Sequence, residues 1–158
     1  LTTDDDDDFD PNEFNSEDDG PQETRRKRID DLPLMKKAWE VYRLTKTIVE
    51  TMRETDSPMA QPVGEQLLAD AMTLIPKIAG AEGSELYTLK MENAVVIKIH
   101  ARSLLTTTHW LSMEKLTPPE YIQLLRDVLD EFRLLFIGWV AGFDRTDDVP
   151  DEWGPLFC

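Results

Sequence analysis

"TPPEYIQLLRDVLDEFRLLFIGW", residues 117–139, decides the fold. Thr117 stands as an N-cap, Pro118 as the first helical position, and Glu120 three residues after the cap, which is the capping-box signature of a helix start. Tyr121, Leu125, Val128, Phe132, Leu135 and Trp139 then recur at alternating steps of four and three. That spacing gathers them on one side of a helix, and a stripe of that length needs other helices to cover it. Gly138 and Gly142 add a pair of small residues four apart, where another helix would come close.

Three further stretches read the same way. In the first, Leu34, Ala38, Val41, Thr45, Ile48 and Met52 repeat at spacings of 4, 3, 4, 3 and 4. Asp31 is its expected N-cap, with Pro33 in the first turn, where a missing N–H does little harm. "TDSPMAQP" (55–62) separates it from a second stretch over 63–81. There Leu67, Ala71, Leu74 and Ile78 form one stripe, and Leu68, Met72, Ile75 and Ala79 form another beside it, which predicts a broadly buried helix. The third stretch is expected to start at Ser84 and run to Met113. Its face holds Ala94, Ile97, Ala101, Leu104, Thr108 and Leu111, widened by Val95, Val96 and Ile99. No strand-like alternation is sustained. The expected fold is all-α, an antiparallel up-down four-helix bundle.

Charge divides the chain into parts. The net charge of −15 is concentrated outside the helical stretches: residues 1–24 hold 11 acidic groups and no basic one, whereas residues 32–143 hold 14 acidic and 12 basic. Residues 1–30 read as a disordered acidic tail with a basic "RRKR" flank (25–28), residues 31–146 as the bundle, and residues 147–158 as a C-terminal tail. An acidic tail next to "RRKR" is able to occupy a cationic surface in place of a nucleic acid. The one cysteine, Cys158, permits no disulfide within the chain, and a reducing cytoplasm is the expected location. "LLFIGWVAGF" (134–143) is ten residues long, against about 20 needed to cross a bilayer, so no membrane is expected.

Catalytic and metal chemistry find little footing. His100 and His109 are the only histidines, and nine residues at about 100° each place them on opposite sides of one helix. Neither has a glutamate three residues before it, as a di-iron bundle requires. "DDDDDFD" (4–10) lacks the preorganised turn of a calcium loop. No Gly-rich phosphate loop precedes a helix, and no cofactor is expected. The reading is that of a non-enzyme. His100 reads as a helix residue at the core boundary. The first stretch carries Lys36, Lys37, Arg43, Lys46 and Arg53, and the third carries Lys90, Lys98 and Arg102. Together they make a mildly basic face the expected contact for a phosphate backbone.

Pro76 lies inside the second stretch, at an internal cost of about 3 kcal/mol. With its neighbours it carries a resemblance. Ile75-Pro76 followed by Ala79, Gly80 and Gly83, the opening "SELYTLKMENA" (84–94), and "LTPPEYIQLLRDVLDEFRLLFIGWVAGFDR" (116–145) occur in the order seen in one family. The resemblance, over about residues 32–146, is to the four-helix-bundle family of proteins encoded by ribosomal RNA intervening sequences. That family also contains Avd, the accessory variability determinant of diversity-generating retroelements. On this resemblance Pro76 is a kink near a helix end. The resemblance implies a non-catalytic homopentamer that scaffolds a reverse transcriptase and its RNA through basic surfaces. By position it assigns Lys77 and Arg102 to nucleic-acid binding, and helix charge adds Arg43 and Lys46. The alternative is a protein-only interaction module of the same fold, with the acidic tail and "WGPLFC" (153–158) as docking peptides.

Overall fold

The computed structural model describes residues 20–154, 156 and 157. The acidic run at 1–19, expected to be a tail, lies outside them. All regular structure among the described residues is helical: α1 (Pro21–Asp30), α2 (Pro33–Arg53), α3 (Ala60–Gly83), α4 (Tyr87–Glu114) and α5 (Pro119–Ala141). Each of the four long helices packs against two others: α2 and α4 both pack on α3 and α5, and α1 lies against α2 and reaches the end of α3 through Arg25. Among the described residues no helix is long and apolar enough to cross a membrane.

The periodic positions form the core. Leu34, Ala38, Val41, Ile48 and Met52 of α2 meet Leu67, Ala71, Leu74 and Ile78 of α3, with Ile97, Leu104 and Leu111 of α4 and Leu125, Val128 and Phe132 of α5. The second stripe of α3 behaves differently from expectation. Leu68, Ile75 and Ala79 are half-buried, and Met72 is exposed. Only one side of α3 faces the other helices, so the adjoining stripe reaches the boundary and stops there. Likewise Val95 and Ile99 of α4 are exposed.

Helix ends depart most from the local rules. Pro76 does not end α3, which runs on to Gly83. Its ring faces outward, while Leu74 and Ile78 on either side are fully buried. Burying two such side chains contributes roughly 1.5–3 kcal/mol each, enough to offset an internal proline. Ser84 is the C-cap of α3 and its Oγ accepts the Leu86 N–H at 3.2 Å. Thr117 does not cap α5: the helix starts at Pro119, and the Thr117 hydroxyl instead lies 2.6 Å from that of Thr51 at the end of α2. Asp31 closes α1, leaving Leu32 as the N-cap position of α2 and Pro33 in its first turn.

Two segments read as tails belong in part to the folded structure. Pro21–Asp30 forms α1, opened by a proline at its first position. Arg25 Nη2 holds it by donating to the Gly83 carbonyl at 2.8 Å. At the other end, Asp148 accepts the Thr88 backbone N–H (3.0 Å) and hydroxyl (2.8 Å), so a residue beyond α5 caps the first turn of α4. Arg145 lies over the Tyr87 ring and donates to its hydroxyl at 2.6 Å, and Trp139 Nε1 donates to Glu82 at 2.7 Å. Gly138 has open space where a side chain would stand, so the expected close approach is not there. It occurs at Gly64, whose absent Cβ would meet Val49 Cγ1 at 3.1 Å.

Candidate functional site

Lys98, Ala101, Arg102 and Leu105 fall on one side of α4 because they are three or four residues apart. Leu129, Phe132, Arg133, Phe136 and Ile137 do the same on α5. Between the two rows lies a groove of about 430 Å³. Its floor is apolar: Phe132 and Leu129 are buried, Phe136 and Ala101 half-buried, and Leu105 and Ile137 are 41% and 54% exposed.

The rim is cationic. Among the described residues neither Lys98 nor Arg102 has a hydrogen-bond or ion-pair partner. Arg133 is held by Asp130 of its own helix, at 3.0 Å through Nε and 2.9 Å through Nη2. Further along the helices, Arg126 donates to the Thr108 hydroxyl at 3.1 Å and lies 2.8 Å from His109 Nδ1. An apolar floor beneath unneutralised cations suits an apolar side chain flanked by anionic groups.

The four residues expected to bind nucleic acid do not converge. Arg102 belongs to this groove. Arg43 and Lys46 are exposed on α2, Arg43 directly opposite that helix's buried stripe, and Lys77 is half-buried on α3. The basic face expected from the first and third stretches together is not a face of the molecule. Those stretches are α2 and α4, which pack on α3 and α5 rather than on each other, so their charges point to different sides. In "RRKR", Arg25 is engaged with the end of α3, while Arg26, Lys27 and Arg28 are exposed on α1.

A polar cluster escaped the sequence reading. Asp70 of α3 is only 1% exposed. Its carboxylate accepts from Gln66 Nε2 at 3.1 Å and Ser103 Oγ at 2.6 Å, and it lies 2.7 Å from His100 Nδ1. The clue was an acid inside "LLADAM" (67–72), within the apolar stripes. Although it contains Ser, His and Asp, the cluster is not a catalytic relay. The serine gives its proton to the carboxylate rather than to the histidine, so nothing activates it as a nucleophile. It joins α3 to α4. No group of three or more metal-ligating side chains is assembled among the described residues.

Elsewhere, Lys37 of α2 donates to Glu40 and to Glu131 of α5. The hydrogen bond to Glu131, followed by that to Glu40, raises its pKa above the ordinary 10.5. This ion pair ties two helices and leaves no free charge for a ligand.

Comparison with known protein families, with characterised proteins and with solved structures finds no match for this chain.

Proposed function

We propose that this protein is a non-catalytic interaction module, an antiparallel up-down four-helix bundle whose working surface is the α4–α5 groove and whose partner is a polypeptide. One observation carries this reading: Lys98 and Arg102 stand without ion-pair partners among the described residues, at the edge of an apolar floor that includes exposed Leu105 and Ile137. A polypeptide offering apolar side chains among acidic ones matches both features. A phosphate backbone calls for a continuous cationic track, and the cations of this chain are spread over separate helices. A cytoplasmic setting accompanies the reading.

The test is a photo-crosslinking side chain at position 137 of the full-length protein in its own cells. Polypeptide adducts are expected. Adducts confined to nucleic acid would overturn the assignment.

A second reading is an oligomeric accessory protein that scaffolds a reverse transcriptase and RNA. It is supported by the ordered motifs from Ile75-Pro76 to Gly138-Trp139 and by the exposure of Arg43, Lys46 and Arg102. Native mass spectrometry separates the two. A homopentamer carrying RNA mass, with RNA affinity lost in the R43E/K46E/K77E/R102E variant, favours the accessory reading. A protein without RNA mass favours the polypeptide-binding module.

A further inference from the structure

The α4–α5 groove has a chemical complement within the same chain. Residues 1–19 contain ten acidic groups and no basic one, and their two aromatic residues are Phe9 and Phe14. The groove presents the reverse arrangement, cations around an apolar floor, in a space of about 430 Å³. A cavity of roughly 150 Å³ accommodates one benzene ring, so two phenyl side chains suit this volume.

The length of the segment makes the pairing reachable, although α1 itself lies against α2 and the end of α3. Arg25, midway along α1, ties that helix to the Gly83 carbonyl, just before α4 begins at Tyr87. Phe9 is eleven residues from Gly20, a reach of roughly 35–40 Å when extended. Lys98 is eleven residues into α4, about 17 Å along its axis.

We infer that the acidic segment 1–19 docks in cis into the α4–α5 groove, with Phe9 and Phe14 on the floor and neighbouring carboxylates facing Lys98 and Arg102. The inference rests on the groove being the working surface and adds its regulation: a polypeptide partner has to displace the chain's own segment. Tethering gives the segment an effective concentration in the millimolar range, so an individually weak contact is well populated. A second copy fits less well. Across a two-fold axis the rim meets its own image, setting Lys98 and Arg102 against like charges. The cations of α1 are nearer in sequence, but that helix buries no residue and offers no apolar floor.

The experiment uses the full chain carrying Asn12→Cys and Cys158→Ser, with a nitroxide on the new thiol, and reads methyl NMR signals of Leu105, Leu129 and Ile137. Docking predicts loss of those signals, unchanged on dilution. Recovery is expected in F9S/F14S and in K98E/R102E, with helicity by circular dichroism as the fold control. Phe9 and Phe14 lie outside the described helices, so F9S/F14S keeps the test decisive even where K98E/R102E disturbs folding. Broadening confined to α1, no broadening, or broadening that disappears on dilution, as a second copy in the groove would give, overturns cis docking. If docking fails while a crosslinker at position 137 still captures polypeptides, the groove remains the working surface and only its self-occupancy falls. If both fail, the groove assignment falls as well.

Discussion

Asp148 caps α4 from sixty residues away: its two carboxylate oxygens take the backbone N–H and the hydroxyl of Thr88, at 3.0 and 2.8 Å. The backbone hydrogen bond from Thr88, followed by the hydroxyl bond, lowers the Asp148 pKa below the ordinary 3.8. A carboxylate with a depressed folded pKa contributes fully above its unfolded value and loses that contribution as pH falls through the folded one. The strap is therefore expected to hold at all pH values above about 4 and to release only in stronger acid. Amide hydrogen exchange at Thr88 is the readout. Asp148→Ala should speed it at neutral pH. Asp148→Asn should flatten the acid response; an unchanged acid response in that variant would place the titrating group elsewhere.

The Asp70 cluster predicts a stability effect without any activity attached. Asp70→Ala removes the charged acceptor shared by Gln66, His100 and Ser103 and leaves polar groups facing a gap at the α3–α4 contact. The expected loss is about 2–4 kcal/mol, against about 1 kcal/mol for Ser103→Ala. Urea unfolding with an unchanged slope checks both. A loss below about 1 kcal/mol for Asp70→Ala would mean the cluster does not clamp the helices.

Thr45 points the other way. Its side-chain oxygen is buried without a hydrogen-bond partner among the described residues. A buried, unsatisfied hydroxyl costs about 1–3 kcal/mol, so Thr45→Val should stabilise by about 1 kcal/mol. The melting temperature should rise by about 4 °C. A lower melting temperature would indicate a partner for this hydroxyl in solution.

Gly64 marks a close approach of α3 to α2. Alanine there gains about 1 kcal/mol of helix propensity. It also drives a methyl toward Val49 Cγ1, 3.1 Å from the Cβ position. Val49 is buried and its branched side chain has little freedom to turn away. Overpacking costs roughly 1–3 kcal/mol, so Gly64→Ala should destabilise on balance. In a Val49→Ala background the same substitution should become stabilising, and a double-mutant cycle measures the difference.

The apolar spacing made the helices legible. Leu34 through Met52, Leu67 through Ile78 and Leu125 through Phe132 occupy buried positions at the intervals read from the sequence. Helical period directly reports which side of a helix faces its neighbours. It does not report which helices are neighbours, so Arg43 and Arg102 were read onto one face although α2 and α4 do not pack together. The groove escaped for the same reason: Lys98 was legible as a helix charge, but its relation to Phe136 and Ile137 depends on α4 lying beside α5. Cap rules failed where a distant residue intervened. Thr117 engages Thr51, and the cap expected from Ser84 is supplied by Asp148. Ten residues of the presumed tail formed α1, held by the contact of Arg25 with α3.

The entry to and exit from the folded structure share one anchorage, the α3–α4 turn. Arg25 grips it at Gly83 on the way in, Trp139 reaches Glu82, and Asp148 closes on Thr88 on the way out. The order of the helices along the chain is therefore partly separable from their packing. Joining the region of Asp148 to that of Gly20 through a linker, and opening the chain between Glu54 and Met59, would give a circular permutant with its helix pairs in place. Its new ends would emerge at the α2–α3 connection, away from the shared turn and the three contacts that hold it.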